Sequence, residues 1–181
     1  MEQEYSQTDR TPVGADEESA YVGADGRRNG TGCDGDLDMS KLTKEVADSF
    51  AESAKLKQIE LQTKIASDIK LYANREEMTQ LLTILLDNEV KYSVEQADIV
   101  LTLAKRGKEV MLSCENTCEK LPDVEADRLF DRFYRSDVAR TQKSGGYGIG
   151  LSVARAIVQN HKGKITAEYK DGNRIVFKIE L

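Results

Sequence analysis

Residues 145–151 read Gly-Gly-Tyr-Gly-Ile-Gly-Leu and stand directly before a helical pattern. Glycine lets the main chain approach a ligand closely and adopt conformations that are closed to other residues. The free N–H groups and positive dipole end of a following helix suit phosphate oxygens. The stretch therefore predicts either a phosphate-binding loop or a plain glycine-rich hinge. It is not a dinucleotide-binding fingerprint, since no strand leads directly into it, and it lacks the Gly-Lys-Ser/Thr ending of a P-loop.

The apolar patterns around this stretch predict helices and strands in a definite order. The predicted elements are a helix at 40–56 capped by Asp38 or Ser40, a strand at 59–65, a helix from the cap Asn74 to about Tyr92, strands at 98–105 and 109–115, a short helix around Leu129 and Phe130, a polar mobile loop at 136–146, a helix at 149–160, and a hairpin of strands at 164–170 and 174–181. Strands in adjacent pairs with helices between them favour an α/β (α+β) two-layer sandwich, with helices on one face of a mixed, mainly antiparallel sheet.

Charge and apolar content divide the chain into two parts. Residues 1–36 contain nine acidic residues, three arginines and six of the 13 glycines, but no Leu, Ile or Phe. A segment this poor in large apolar groups does not recover its ordering entropy by burial, so we predict a disordered acidic, Gly-rich tail. Residues 37–181, the predicted domain, hold 23 acids and 23 bases and have no basic field for nucleic acid. Since no apolar run approaches the roughly 18 residues of a membrane span, we expect a cytoplasmic protein.

A second chemical signal lies at 85–93, which read Leu-Leu-Asp-Asn-Glu-Val-Lys-Tyr-Ser. Lys91 and Tyr92 follow Asn88 by three and four residues, so the three side chains share one helix face. A neutral oxygen donor, a cation and an aromatic ring on one face suit a metal ion, a phosphate and a flat base. The alternative is a frayed, solvated helix end.

A third signal comes in two pieces, Cys-Glu-Asn-Thr-Cys-Glu-Lys-Leu-Pro at 114–122 and Leu-Phe-Asp-Arg-Phe-Tyr-Arg at 129–135. Taken by themselves, the aromatic residues of the second piece are equally compatible with a core and its arginines with a surface.

Together the three signals resemble the ATP-binding domain of sensor histidine kinases, within the superfamily shared with DNA gyrase, MutL-type proteins and related chaperones. Residues 85–93 resemble the family's asparagine box, 130–135 its phenylalanine box and 145–151 its second glycine box. His161-Lys162-Gly163 resembles the usual exit from the last helix of that domain. The resemblance covers about 37–181 and implies an ATP-binding sandwich of the kind described above.

The resemblance also implies roles for individual residues, with ATP and Mg²⁺ as cofactors. Asn88 corresponds to the magnesium ligand, Lys91 to a phosphate contact, Tyr92 to a side chain beside the adenine and Asn116 to the acceptor for the adenine amino group. Arg132 or Arg135 would help to place the γ-phosphate for transfer. The glycine-box residues implied in nucleotide binding, beneath a flexible lid at about 136–146, are Gly145, Gly146, Gly148, Ile149, Gly150 and Leu151.

Three departures from the family pattern shape the functional expectation. The first glycine box usually reads Asp-x-Gly-x-Gly, whereas Asn116-Thr117-Cys118-Glu119-Lys120 stands here, which predicts weakened ATP binding. Ile84 occupies the position of the general base in the superfamily's water-splitting ATPases and has no group to activate water. The sole histidine, His161, sits at a helix end and is interpreted as structural.

The phosphoacceptor histidine is therefore expected on a dimerisation hairpin supplied in trans, with a response regulator as a further partner. Since dimerisation normally belongs to that hairpin, the resemblance implies a monomer in isolation. Two alternatives remain: a stand-alone protein serine kinase of the anti-sigma type, and a nucleotide-binding pseudokinase that acts as an interaction module.

Overall fold

A five-stranded mixed sheet lies at the centre of the domain in the computed structural model, which describes residues 34–134 and 148–181. The strands are β1 Gly35–Asp38, β2 Glu60–Ile65, β3 Lys70–Ala73, β4 Asp98–Arg106, β5 Glu109–Thr117, β6 Lys164–Lys170 and β7 Arg174–Glu180. The helices are α1 Met39–Leu56, α2 Arg75–Tyr92 and α3 Gly150–Asn160, with a 3₁₀ helix at Ala126–Phe130.

The strand order confirms the predicted mixed, mainly antiparallel sheet. The order is β2-β4-β5-β7-β6; β2 and β4 are parallel, and the other three pairs are antiparallel. The remaining strands, β1 and β3, form a separate antiparallel pair. The long connection from β2 to β4 contains α2, as a parallel crossover requires.

One face of the sheet forms the core, because side chains alternate between faces along a strand. Leu101, Cys114 and Phe177 lie side by side on β4, β5 and β7 and are all buried. Helix α2 packs against this face with a fully buried leucine stripe made of Leu81, Leu82, Leu85 and Leu86. Contacts of α2 with both α1 and α3 complete the helical layer, which confirms the two-layer sandwich.

Side-chain caps define where the two long helices begin. Asp38 accepts a hydrogen bond from Lys41 N–H at 2.9 Å and is the cap of α1. Asn74 accepts from the N–H groups of Glu76 and Glu77 at 2.9 and 3.1 Å and caps α2 as predicted. Ser40, the alternative cap of α1, instead accepts from the Ile69 N–H and joins α1 to the segment before β3.

Two short elements differ from the sequence prediction. Strands β1 and β3 were not predicted, and Gly35 and Asp36 of the expected tail belong to β1, where Asp36 pairs with Tyr72. Four-residue strands carry too little alternation to be recognised, and this pairing joins segments that are distant in the chain. The rest of the predicted tail, 1–33, and the predicted loop, 136–146, lie outside the described residues. Among the described helices, none has the length and apolar character to cross a membrane.

Candidate functional site

The end of α2 carries the first group of predicted site residues. Asn88, Lys91 and Tyr92 are all partly exposed, whereas Glu89 and Val90 between them are buried. The Lys91 ammonium lies 5.5 Å from the centroid of the Tyr92 ring, within the range of a cation–π contact. The structure therefore brings the amide of Asn88, the ammonium of Lys91 and the ring of Tyr92 to one accessible end of α2.

The start of α3 lies against this face of α2. A Cβ atom placed on Gly150 would stand 3.4 Å from the Ile84 Cγ2 atom. Ile84 precedes Asn88 by four residues, so the two side chains lie one above the other on the same helix face. The glycine stretch that opens α3 thus meets the α2 face that bears Asn88. Gly150, Ile149 and Leu151 are all partly exposed there.

The glycine stretch also packs against the end of the 130–135 segment. Gly148 has a φ of +69°, and a Cβ atom on it would lie 2.7 Å from the Tyr134 carbonyl oxygen. The Phe133 N–H donates a hydrogen bond to the Gly148 carbonyl at 2.8 Å. Only glycine satisfies both the backbone conformation and the close approach at this position.

Phe133 adopts a conformation that a bulky side chain rarely takes. Its φ is +65° and the residue is 73% exposed. Left-handed backbone costs a non-glycine residue roughly 1–2 kcal/mol, and here the hydrogen bond to Gly148 holds it. Arg132, the preceding residue, is exposed beside this turn. Strain at an exposed turn against a glycine loop is typical of a functional site.

Asn116 lies at the end of β5, on the core side of the sheet. It is 2% exposed, and its amide nitrogen donates to Ser93 Oγ at 3.2 Å. Ser93 caps the C-terminus of α2 and also forms an isolated β-bridge with Cys118. The amide nitrogen donates to Ser93, and the amide oxygen is the hydrogen-bond acceptor of this side chain. Asn116 begins the segment 116–120, which differs from the family's first glycine box. This segment is thus bonded directly to the end of the helix that bears Asn88.

Comparison with known proteins decides the family. Residues 73–181 match the family model described as histidine kinase-, DNA gyrase B- and HSP90-like ATPase. The chain belongs to this family. The histidine-kinase domain so defined contains every site residue discussed above.

The relatives of this chain include sensor kinases. The histidine-protein kinase BaeS of Escherichia coli is 28% identical over 145 residues, which is 80% of this chain and 31% of that protein. The kinase ArlS of Staphylococcus epidermidis is 38% identical over 113 residues, 62% of this chain and 25% of that protein. The chain spans about a quarter to a third of the length of these curated relatives.

Solved structures show the same architecture. The catalytic domain of histidine kinase ThkA superposes with a TM-score of 0.71 at 25% identity, over 82% of this chain and 94% of that one. The same kinase in complex with the response regulator protein TrrA gives a TM-score of 0.68 at 24% identity, over 82% of this chain and 41% of that one. The chain therefore carries the catalytic ATPase domain of the two-component sensor-kinase type.

Three predicted residues of the histidine-kinase site, Arg135, Gly145 and Gly146, lie outside the described residues. The remaining ones fall into two joined groups: the α2 end with Asn116, and the turn at Arg132 with the start of α3.

The burial of the Glu89 carboxyl group in this kinase domain was not predicted from the sequence. Glu89 follows Asn88 directly, is fully buried, and neither of its carboxyl oxygens has a hydrogen-bond partner among the described residues. Burial, and secondarily the charge of Glu115, raise the pKa of this carboxyl well above its usual value. Burial and then the nearby Glu89 likewise raise the pKa of the Cys114 thiol. The spacing of Glu89 from Leu85 and Leu86, four and three residues, already placed it on the buried stripe.

His161 has the structural position that the sequence predicted. Its Nδ1 lies 2.9 Å from the Ile157 carbonyl oxygen and 3.5 Å from the Glu77 carboxylate, and its Nε2 accepts from the Asn74 N–H at 3.4 Å. The side chain is 10% exposed. The imidazole therefore links the end of α3 to the start of α2, with both ring nitrogens engaged.

Proposed function

We propose that this domain binds ATP with Mg²⁺ and transfers the γ-phosphate to a histidine on a dimerisation hairpin supplied in trans. The observation that carries the proposal is the contact of Gly150 with Ile84, which brings the glycine stretch to the α2 face that bears Asn88. One nucleotide would then contact both the backbone of the glycine stretch, through its phosphates, and the side chains at the end of α2, through its magnesium ion and its base. Phosphoryl transfer depends mainly on such positioning and on charge neutralisation.

The side chains at the α2 end fit a magnesium–nucleotide complex. Asn88 offers a neutral oxygen, and no cluster of three or more His, Cys, Asp or Glu side chains suited to a metal occurs in the described ranges. Magnesium in nucleotide sites keeps several waters and takes few protein ligands, because substrate phosphates supply the others. When bound, the ion would neutralise phosphate charge. Asn88 would hold it, and Lys91 would contact the phosphates.

The base and the transferred phosphate would lie at opposite ends of the site. Tyr92 would pack beside the adenine, and the amide oxygen of Asn116 would accept from its amino group. Glycine-stretch N–H groups at the start of α3 would bind phosphate oxygens, as helix N-termini do. Arg132, beside the turn at Gly148, or Arg135 would place the γ-phosphate for transfer.

Two observations favour transfer to another protein over hydrolysis. Ile84, 8% exposed and packed near Gly150, stands where the water-splitting members of the superfamily carry a general base, and it has no titratable group. The side chain of His161 is only 10% exposed and both of its ring nitrogens are engaged, so it does not present itself to a γ-phosphate. Both observations support an acceptor on another polypeptide segment, and the complex of ThkA with TrrA supports a response regulator as the further partner that we propose. We place the domain in the cytoplasm, as a monomer in isolation.

We expect Asn88→Ala to weaken magnesium–ATP binding about tenfold, since one charge-assisted contact is worth roughly 1.4 kcal/mol or more. Calorimetry with a non-hydrolysable ATP analogue, with and without magnesium, measures the effect. The matched control is Thr83→Ala, because Thr83 is exposed on another part of α2. If the wild-type protein releases no heat at millimolar nucleotide, the proposal that it binds ATP is wrong.

A phosphotransfer assay distinguishes a histidine kinase from a protein serine kinase and from an interaction module without transfer activity. The full chain is incubated with γ-labelled ATP, alone and with a histidine-bearing hairpin from a sensor kinase. Acid-labile label on the hairpin supports the proposal, whereas acid-stable label on a serine supports a protein serine kinase. Nucleotide binding without transfer to any acceptor supports an interaction module, which the altered loop at Asn116–Lys120 favours as the second candidate.

A further inference from the structure

The end of α1 contacts the end of α2 through one long side chain. Lys57 follows the last residue of α1, and its ammonium donates to the carbonyl oxygens of Val90 and Lys91 at 2.9 and 3.3 Å. These carbonyls belong to the last turn of α2, where backbone oxygens have no partner within the helix. A cation at this end also interacts favourably with the helix dipole. Lys57 therefore stabilises the same turn that carries Lys91 and Tyr92.

The end of this turn is also bonded to the sheet. The Ser93 N–H donates to the Glu89 carbonyl at 2.9 Å, and the Val94 N–H donates to the Thr117 carbonyl at 3.0 Å. The bond from Asn116 to Ser93 Oγ is a second link to β5, whereas the bond from Ser93 to Glu89 lies within the end of α2. The last turn of α2 is thus bonded both to the end of β5 and to Lys57.

We propose that Lys57 is a positioning residue for the nucleotide: it holds the last turn of α2 so that Lys91 and Tyr92 keep the orientation that ATP binding needs. Lys57 acts through two backbone carbonyls and does not itself touch the ligand. This inference rests on the proposed ATP-binding function. Without the ammonium, the two carbonyls turn towards water and the turn frays, which moves the phosphate contact and the aromatic ring together.

The test compares Lys57→Met with Lys57→Arg and with a stability control. Methionine keeps most of the apolar stem and removes the charge, whereas arginine restores a cationic donor. The control is Asp38→Ala, which removes the N-cap of α1 and destabilises the same helix. Asp38 lies at the far end of α1, roughly 27 Å away at about 1.5 Å per residue. Calorimetry gives the ATP dissociation constant, and urea unfolding gives the stability of each variant.

For Lys57→Met we expect a dissociation constant raised about tenfold, the loss that one charge-assisted hydrogen bond produces. Lys57→Arg should return within about twofold of wild type, and Asp38→Ala should lose stability without a comparable loss of affinity. Equal affinities of wild type and Lys57→Met, or an equal loss in Asp38→Ala, would overturn the positioning role alone. Wild-type protein that fails to bind ATP would instead overturn the function on which the inference rests.

Discussion

Glu89→Gln is expected to stabilise the domain at pH 8 and to change its stability little near pH 5. Glu89 is fully buried, and its carboxyl oxygens have no hydrogen-bond partner in the described part of the chain. Because burial and then the charge of Glu115 raise the pKa of this carboxyl, the folded domain keeps the proton well above pH 4.5. The unfolded chain releases it near the usual value. Glutamine is neutral and of similar shape at every pH.

The sign of the effect follows from proton linkage. Between the unfolded and folded pKa values of Glu89, the folded state binds more protons than the unfolded state. The free energy of unfolding therefore falls as the pH rises through that interval, by up to about 1.4 kcal/mol per pH unit. Above the folded pKa the loss is complete and the curve is flat. Glu89→Gln lacks this loss, so the stability difference between variant and wild type should grow with pH from about 4.5 upwards.

Urea unfolding at a series of pH values between 5 and 8.5, a range chosen to span the linkage interval, measures this difference. Glu52→Gln is the control, because Glu52 is exposed on α1 and its substitution removes a carboxylate without changing the core. A pH-independent difference between Glu89→Gln and wild type would show that Glu89 is ionised in the folded protein. The comparison with Glu52→Gln excludes a general effect of net charge.

The core elements could be predicted because their signals are local. Asn74 caps α2 in the structure as its sequence position predicted. The alternation of β4 and β5 places Ile99 and Asn116 side by side on the core face. In contrast, β1 becomes a strand because Asp36 pairs with Tyr72, a contact that no pattern within four residues encodes.

The candidate site was predictable only in part, for the same physical reason. The spacing of Asn88, Lys91 and Tyr92 on α2 follows from helical periodicity alone. The approach of Gly150 to Ile84, on the helix face that bears Asn88, depends on how α2 and α3 pack, and the sequence indicated it only through family resemblance. Helical periodicity also places Glu89 on the buried stripe of α2. Its burial was not predicted, because charged side chains usually remain in contact with water.

Gly148→Ala is expected to destabilise the domain by about 2–4 kcal/mol, from left-handed backbone strain together with overpacking. Gly148 has a φ of +69°, and an added Cβ atom would lie 2.7 Å from the Tyr134 carbonyl oxygen and 3.0 Å from the Phe133 carbonyl carbon. Both neighbours are backbone atoms, so a rotamer change does not relieve the overlap. The chain must separate the glycine stretch from the 133–134 turn and lose the bond from Phe133 N–H to Gly148.

Gly107→Ala is the matched control, because it isolates the close approach from the backbone strain. Gly107 has a φ of +64°, but nothing lies within 4 Å of a Cβ atom placed on it. It should therefore lose only the roughly 1–2 kcal/mol that left-handed backbone costs. Urea midpoints give both losses, and calorimetry should show ATP affinity falling more than tenfold in Gly148→Ala alone, since that variant displaces the start of α3, which we propose binds the phosphates. Equal destabilisation of the two variants, with equal affinities, would mean that the contact between Gly148 and the 133–134 turn does not shape the nucleotide site.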